Sequence, residues 1–354
     1  MNSDKVKILF VWTGVTSYMP DCWRALAERF SDVELRIVID RANTAGGLAF
    51  DETRVLHGLN YALVDGQAQS AFDALGDWVP DVAFIVGWRS VVCRAFAESS
   101  LYEPVAKVLV FDMPWEWKVR KFVARFLLAQ YLRRFAACYV PGARARRYAR
   151  WLGFSDSHIF TGLFSVKEPP EEISRNHEES LFFLYVGRFS SEKRIRKLAE
   201  AYQRYRERCG GTPWKLVCCG KGVEAHWLEG QPGVEMRGFL QPDEVHALQR
   251  QAGALVLTSS FDPWPLVILE SVSVGVPVIC TPACGDHIEL IGTNGIVTNN
   301  TTAAMLEMTN NYNKYASAAK LAIERAHPYW SSAWAQRTYA LAATVLNREG
   351  DKNG

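Results

Sequence analysis

Residues 254–281 read ALVLTSSFDPWPLVILESVSVGVPVICT. ALVLTS (254–259) is a short apolar strand, and VPVICT (276–281) is a second one. Between them, Pro263 and Pro265 hold off a helix until about Leu266, because proline restricts its neighbour and removes a donor. A helix from there carries Glu270 in its second turn. Two strands joined through a helix run parallel, and parallel strands of such continuous apolar character are buried on both faces. The segment therefore announces an α/β fold.

The same alternation extends in both directions. Upstream lie LFFLYVG (181–187), WKLVCCG (214–220) and GVEMRGF (233–239), and downstream GIVT (295–298). Helices are expected at about 302–326 and 331–348. An earlier series comprises KVKILFVW (5–12), ELRIVID (34–40), DVAFIVGW (81–88), KVLVFDM (107–113) and AACYVPG (136–142). Between the two series, SVKEPPEEISRNHEES (165–180) combines two prolines with a run of acids and reads as an exposed linker. The expectation is two Rossmann-like domains in tandem, facing across a cleft. Residues 1–165 form the first, 166–180 the linker and 181–326 the second, with a helix over 327–354 packing back on the first. Ligands of such sheets gather at the carboxyl ends of the strands. Neither half carries GxGxxG after its first strand, which removes the main support for a dinucleotide dehydrogenase.

Composition narrows the field. The 354 residues are 49% hydrophobic and 22% charged, an ordinary globular balance. Forty basic against 38 acidic residues give +2, which excludes a polyanion-coating role for the whole chain. No apolar run approaches the ~20 residues of a membrane-spanning helix, and the polar start MNSDK does not suggest a signal peptide. The eight cysteines show no CxxC pair and fall in apolar runs such as KLVCCG. They read as reduced core thiols of a cytoplasmic protein, without a metal site.

Two constellations could carry chemistry. GRFSSEKR (187–194) places Gly187, Arg188 and Lys193 in the loop after a strand. Two cations near a helix start suit a diphosphate, although a solvated basic turn has the same pattern. In the opening segment, Asp262 and Glu270 flank a helix start whose free N–H groups donate to phosphate, while carboxylates accept from sugar hydroxyls. A capping Asp and an exposed helix Glu would look the same.

Together, GRFSSEKR and DPWPLVILESVSVGVPVI resemble the donor site of family-four glycosyltransferases, retaining enzymes of the GT-B fold. That family shows GRxxxxKG and E-x7-E before a G-x-P-V-I strand. The likeness takes in GKG (220–222), VEMRGFL (234–240), GDHIELI…NGIVT (285–298) and HPYWSSAWAQRTY (327–339), and so covers about residues 181–345. It implies that Arg188 and Lys193 grip the donor diphosphate and that Glu270 accepts from ribose. Asp262 would contact the transferred sugar, the backbone at Pro265 and Leu266 would meet phosphate, and Gly238, Phe239 and Leu240 would flank the base. The chain departs from the pattern at Asp262, shorter than Glu by one methylene, and at Pro265, where glycine is common.

The first half matches less. Gly14 in WTGVTSYM (12–19) permits close backbone approach to the donor. Relatives place a sugar-contacting His after the strand KVLVF. This chain offers Asp112, Trp115 and Glu116 there, with Trp88 and Arg89 at another strand end, as acceptor residues. From 118 to 155 the chain has ten basic residues and no acid, interleaved with Phe122, Phe126 and Leu127. At 100° per residue Lys118, Lys121 and Arg125 share one side, an amphipathic basic helix suited to an anionic membrane.

The resemblance implies a retaining, metal-independent transfer of a sugar from a nucleotide-sugar, with a UDP-sugar favoured. The acceptor is a hydroxyl of a glycan or lipid-linked molecule, in cell-surface polysaccharide biosynthesis, at the cytoplasmic side of a membrane. No cofactor and no nucleic acid is expected. The rival from another class is an inactive GT-B subunit that anchors a partner.

Overall fold

The computed structural model describes residues 5–43, 50–116, 119–170, 181–285 and 290–353. Residues 171–180 of the expected linker and 286–289 of GDHIELI lie outside the described residues, as do Lys118 and the side chain of Arg120. The chain divides into two units, one of residues 1–165 with 329–354 and one of residues 166–328.

The first unit is a seven-stranded parallel sheet. Its strands are β1 (Val6–Thr13), β2 (Val33–Asp40), β3 (Tyr61–Val64), β4 (Val82–Val86), β5 (Ala106–Val110), β6 (Ala137–Val140) and β7 (Ile159–Thr161). They lie in the order β3-β2-β1-β4-β5-β6-β7. The order reverses between β1 and β4, the switch point at which α/β sheets open a crevice at their carboxyl edge. Apolar side chains alternate to both faces of β1. Phe10 stacks on Phe84 of the adjoining strand at 4.8 Å and meets Trp23 at 5.8 Å. At the end of β2 the fully buried Asp40 organises three loops. It accepts from Ala42 N (3.0 Å), Gly66 N (2.9 Å) and Ser90 Oγ (2.6 Å), so its buried charge is met by donors.

The helix Ser331–Asn353 completes this unit. Trp334 is fully buried, donates from its indole to Leu163 O at 2.8 Å and lies 5.9 Å from Phe10. Tyr339 stacks on Phe30 at 4.0 Å, and its hydroxyl donates to Asp32 at 2.6 Å.

The second unit holds β8 (Phe182–Val186), β9 (Lys215–Cys219), β10 (Val234–Gly238), β11 (Ala254–Leu257), β12 (Val278–Cys280) and β13 (Gly295–Val297). The order is β10-β9-β8-β11-β12-β13, all pairs parallel, with the reversal between β8 and β11. Buried residues Leu184, Val217 and Cys219 pack with Leu240 and Leu248 against one face. All eight cysteines are thiols, and burial raises the pKa of Cys93, Cys138, Cys218 and Cys219.

Three expectations of detail change. Strands β3 and β7 join the first sheet at its two edges. The helix expected over 302–326 is three helices, Thr301–Asn310, Tyr312–Ala316 and Ala319–Ala326, broken at Asn311 and near Ser317. The third concerns Lys121, which does not share an exposed basic face with Arg125. It is buried, pairs with Glu116 at 2.7 Å, donates to Pro114 O and sits over the Tyr148 ring. Periodicity placed Lys121 and Arg125 on one side of the helix; the unit's core takes the lysine and leaves the arginine outside.

Candidate active site

The switch point of the second sheet brings two sequence-distant loops together. After β8 the chain runs through Gly187 and Arg188 into a single 3-10 turn, Ser191–Lys193. After β11 it runs through Thr258 to Asp262. The second loop clamps the first by its carbonyls. Thr258 Oγ1 donates to Lys193 O (2.9 Å) and Arg194 O (3.2 Å), while Ser260 donates to Glu192 O from its N–H (2.7 Å) and hydroxyl (3.0 Å). With its backbone held this way, Lys193 reaches Asp262 and forms an ion pair with it. Their side chains are only 17% and 11% exposed, so the pair is well shielded from water. Asp262 is fixed from the other side by the loop after β12, through Asp262 N to Ala283 O (3.2 Å) and Gly285 N to Asp262 O (2.7 Å).

Arg188 is held more lightly. It pairs with Glu192 at 3.1 Å, both side chains more than a third exposed. Such a pair contributes about 0–1 kcal/mol, so an arriving anion can draw the guanidinium away from Glu192. The Ser190 hydroxyl, 2.7 Å away, and the Arg188 charge keep the Glu192 carboxyl below its usual pKa. The β8 turn is braced by Tyr185 OH donating to Arg188 O at 2.9 Å.

The GKG segment crosses directly over this turn. Gly187 N donates to Cys219 O (3.0 Å), Phe189 N to Lys221 O (2.9 Å) and Gly220 N to Gly238 O (2.6 Å). A Cβ on Gly220 would sit 1.9 Å from Gly187 O. The approach admits no side chain, and only backbone could yield. Gly220→Ala is therefore expected to cost about 1–3 kcal/mol in local strain and to weaken nucleoside-diphosphate binding, checked by denaturant unfolding and calorimetric titration.

Arg194 is the one described non-glycine residue with positive φ (53°, ψ 49°). It stands where the resembled GRxxxxKG pattern has glycine. A left-handed conformation costs an L-residue about 1–2 kcal/mol, part of which glycine would return as chain entropy on unfolding. Arg194→Gly should raise stability by up to about 1 kcal/mol, measured as a shift in the denaturation midpoint.

The remaining donor-side residues fall into place around the same edge. The helix Leu266–Ser273 starts directly after Pro265, and Glu270 lies half-buried in its second turn. Glu270 accepts from Gln249 Nε2 at 3.2 Å, which leaves its other oxygen for a ligand hydroxyl. Gly238 ends β10 with φ +66°, followed by the half-buried Phe239 and Leu240.

In the first unit, Gly14 directly follows β1 with φ +68° and donates to Asp40 O at 2.9 Å. Trp88 lies half-buried after β4 against Phe111, with Arg89 exposed beside it. Asp112 is exposed at its rim yet crowded by protein, and desolvation lifts its carboxyl above the usual pKa. Trp115 packs with Trp151 (5.0 Å) and Tyr148 (6.0 Å), and Glu116 carries the Lys121 ion pair. Of the five acceptor expectations, these two have structural occupations. Among the described residues there is no group of three or more His, Cys, Asp or Glu side chains placed to hold a metal ion.

Sequence reasoning passed over Glu192, Thr258, Ser260 and Gln249, whose hydrogen bonds join positions up to 68 residues apart. Glu192, Thr258 and Ser260 sit within stretches already singled out, while Gln249 lies outside them.

Residues 166–323, which contain the donor-side residues of the second unit, match the family described as glycosyl transferases group 1. That match covers most of the second unit, somewhat under half of the chain. The glycogen synthase of Mycobacterium tuberculosis is 34% identical over 103 residues, 27% of this chain and 24% of that protein. The lipopolysaccharide 1,6-galactosyltransferase of Salmonella typhimurium is 27% identical over 170 residues, 44% of this chain and 45% of that one. The matches thus span less than half the length of these two curated relatives. At the level of fold the likeness is end to end. Anabaena Alr3699/HepE, solved in complex with UDP, superposes with a TM-score of 0.70 at 16% identity, over 96% of this chain and 100% of its own. The second unit and the sheet that precedes it have the architecture of the GT-B fold.

Proposed function

We propose that the chain is a retaining glycosyltransferase that moves a sugar from a nucleotide-diphosphate sugar to an acceptor hydroxyl. The observation that carries this is the convergence of Lys193, Asp262 and the lightly held Arg188 at the β8–β11 switch point. In the transition state the bond from the anomeric carbon to the diphosphate oxygen breaks, and charge grows on the leaving group. Lys193 and Arg188 stabilise that charge where it develops. The acceptor oxygen forms the new glycosidic bond on the same face, and its proton passes to the departing diphosphate. No protein base is then required. Asp262, oriented by Lys193, is assigned to the transferred sugar and Glu270 to the ribose.

Two side-chain cations, Lys193 held in place and Arg188 free to swing onto the anion, do for the diphosphate what a divalent metal would do, so EDTA is expected to leave the transfer rate unchanged. A rate that collapses in EDTA and returns with a divalent cation would contradict this mechanism.

A UDP-sugar is the favoured donor, supported by the UDP seen in the Anabaena relative. Asp112, Trp88 and Arg89 are assigned to a glycan or lipid-linked acceptor in cell-surface polysaccharide or glycoconjugate synthesis. The Salmonella lipopolysaccharide galactosyltransferase supports that class. The reading places the protein in the cytoplasm, peripheral on an anionic membrane through residues 118–150. A thermal-shift screen of nucleoside diphosphates, followed by transfer assays with the matching sugars, tests it. Stabilisation by a diphosphate with new glycoside formed is expected; binding without transfer or donor hydrolysis would instead indicate an inactive anchoring subunit.

A further inference from the structure

The helix Val119–Leu127 buries a lysine and exposes several large apolar side chains. Lys121 points into the unit, 5% exposed and paired with Glu116. Around the exposed Arg125 its outward residues are apolar, with Val119 82%, Phe126 68% and Leu127 79% exposed, and Phe122 half so. Water solvates such a row poorly, and contiguous exposed apolar side chains mark a surface that meets something else.

Beside the helix lies a groove of about 530 Å³. Its floor includes Leu132, Phe135 and Leu152, and its rim carries the exposed Arg125 and Arg133 together with His158. Phe126 borders both the helix face and the groove, so the two form one surface. From 119 to 155 the sequence has no acidic residue. The exposed basic charge around the apolar row comes from Arg125, Arg133, Arg134 and Arg147, while the acid that follows in sequence, Asp156, is paired with Arg146 and Arg150.

We propose that this surface docks on an anionic phospholipid bilayer. Val119, Phe126 and Leu127 enter the acyl region, and one lipid phosphate seats in the groove between Arg125 and Arg133. Apolar tips flanked by single-sign arginines match the layered polarity of a bilayer interface, where hydrocarbon lies just beneath phosphate. A soluble protein partner would meet the same arginines without that layering. The inference shares the peripheral-membrane element of the proposed function but none of its transfer chemistry, and its test uses no nucleotide. The two can therefore fail separately.

The test is flotation of the full chain with phosphatidylcholine vesicles, with and without roughly 30% phosphatidylglycerol. Wild type should float with the anionic vesicles and stay behind with the neutral ones, and binding should fall as salt screens the charge. Phe126→Glu with Leu127→Glu should abolish flotation, with an unchanged melting temperature because both side chains are exposed. Arg125→Gln with Arg133→Gln should weaken binding by about thirtyfold, two arginines at the surface. Arg134→Gln with Arg147→Gln removes the same charge away from the groove and should lose clearly less. Equal losses in the two arginine pairs would overturn the phosphate seat. Wild-type flotation by the Phe126/Leu127 variant, or self-association of wild type in place of vesicle binding, would overturn the docking surface altogether.

Discussion

Lys193→Ala should lower the transfer rate by about 10³-fold in a chain that still folds. Withdrawing one preorganised donor or cation from a developing oxyanion costs about 2.7–4 kcal/mol of transition-state stabilisation. Lys193 has the features such a group needs. Its backbone carbonyl is fixed by Thr258, its neighbour's by Ser260, and its ammonium is already oriented against Asp262. The substitution also strands the Asp262 carboxylate, so part of the loss could come from a displaced loop. Arg188→Ala separates the two effects. Arg188 is half exposed and its pair with Glu192 contributes little to folding, so its removal leaves the loops in place. It should still cost about 10²-fold in turnover. Folded variants of both residues with near-normal rates would refute the diphosphate role.

Trp334→Ala should destabilise the first unit by about 3–5 kcal/mol. The indole is fully buried, lies against Phe10 at the sheet and satisfies Leu163 O. Truncation opens a cavity between the helix Ser331–Asn353 and its own sheet and leaves a carbonyl without its donor. Trp334→Phe keeps most of the ring and should lose about 1–2 kcal/mol, chiefly for the orphaned carbonyl. Denaturant unfolding measures both. A loss below about 1 kcal/mol for the alanine variant would mean that this helix does not hold the unit together.

How legible the fold was depends on burial. Central strands such as KVKILFVW and ALVLTS are covered on both faces, so their middles, ILFVW and ALVL, are unbroken apolar runs. β3 and β7 are four and three residues long at the edges of their sheet, too short and too mixed to stand out. The helix Val119–Leu127 shows a different limit. Periodicity reveals which residues share a face, but the direction of that face is decided by what the sheet and neighbouring helices leave to fill. Here Glu116, Pro114 and Tyr148 offered a place for an ammonium, and Lys121 took it.

The candidate site was legible where it rests on local order. Arg188 and Lys193 sit in one loop, and Pro265 fixes where the helix bearing Glu270 begins. The partners that aim these groups are not local. Thr258 and Ser260 follow the neighbouring strand, and Gln249 reaches Glu270 from another helix. Hydroxyl and amide side chains of this kind have no spacing signature, since their use depends on which strands the sheet places side by side. The same is true of Gly220, whose need for glycine comes from Gly187 passing within contact of it.

The central claim is that the loops after β8 and β11 hold a nucleoside diphosphate. Calorimetric titration of UDP into wild type and Lys193→Ala tests it most directly. Saturable binding by wild type, weakened at least about tenfold in the variant, is the predicted result. Equal affinity in both proteins, or no binding of UDP or any other nucleoside diphosphate to the wild type, would contradict it.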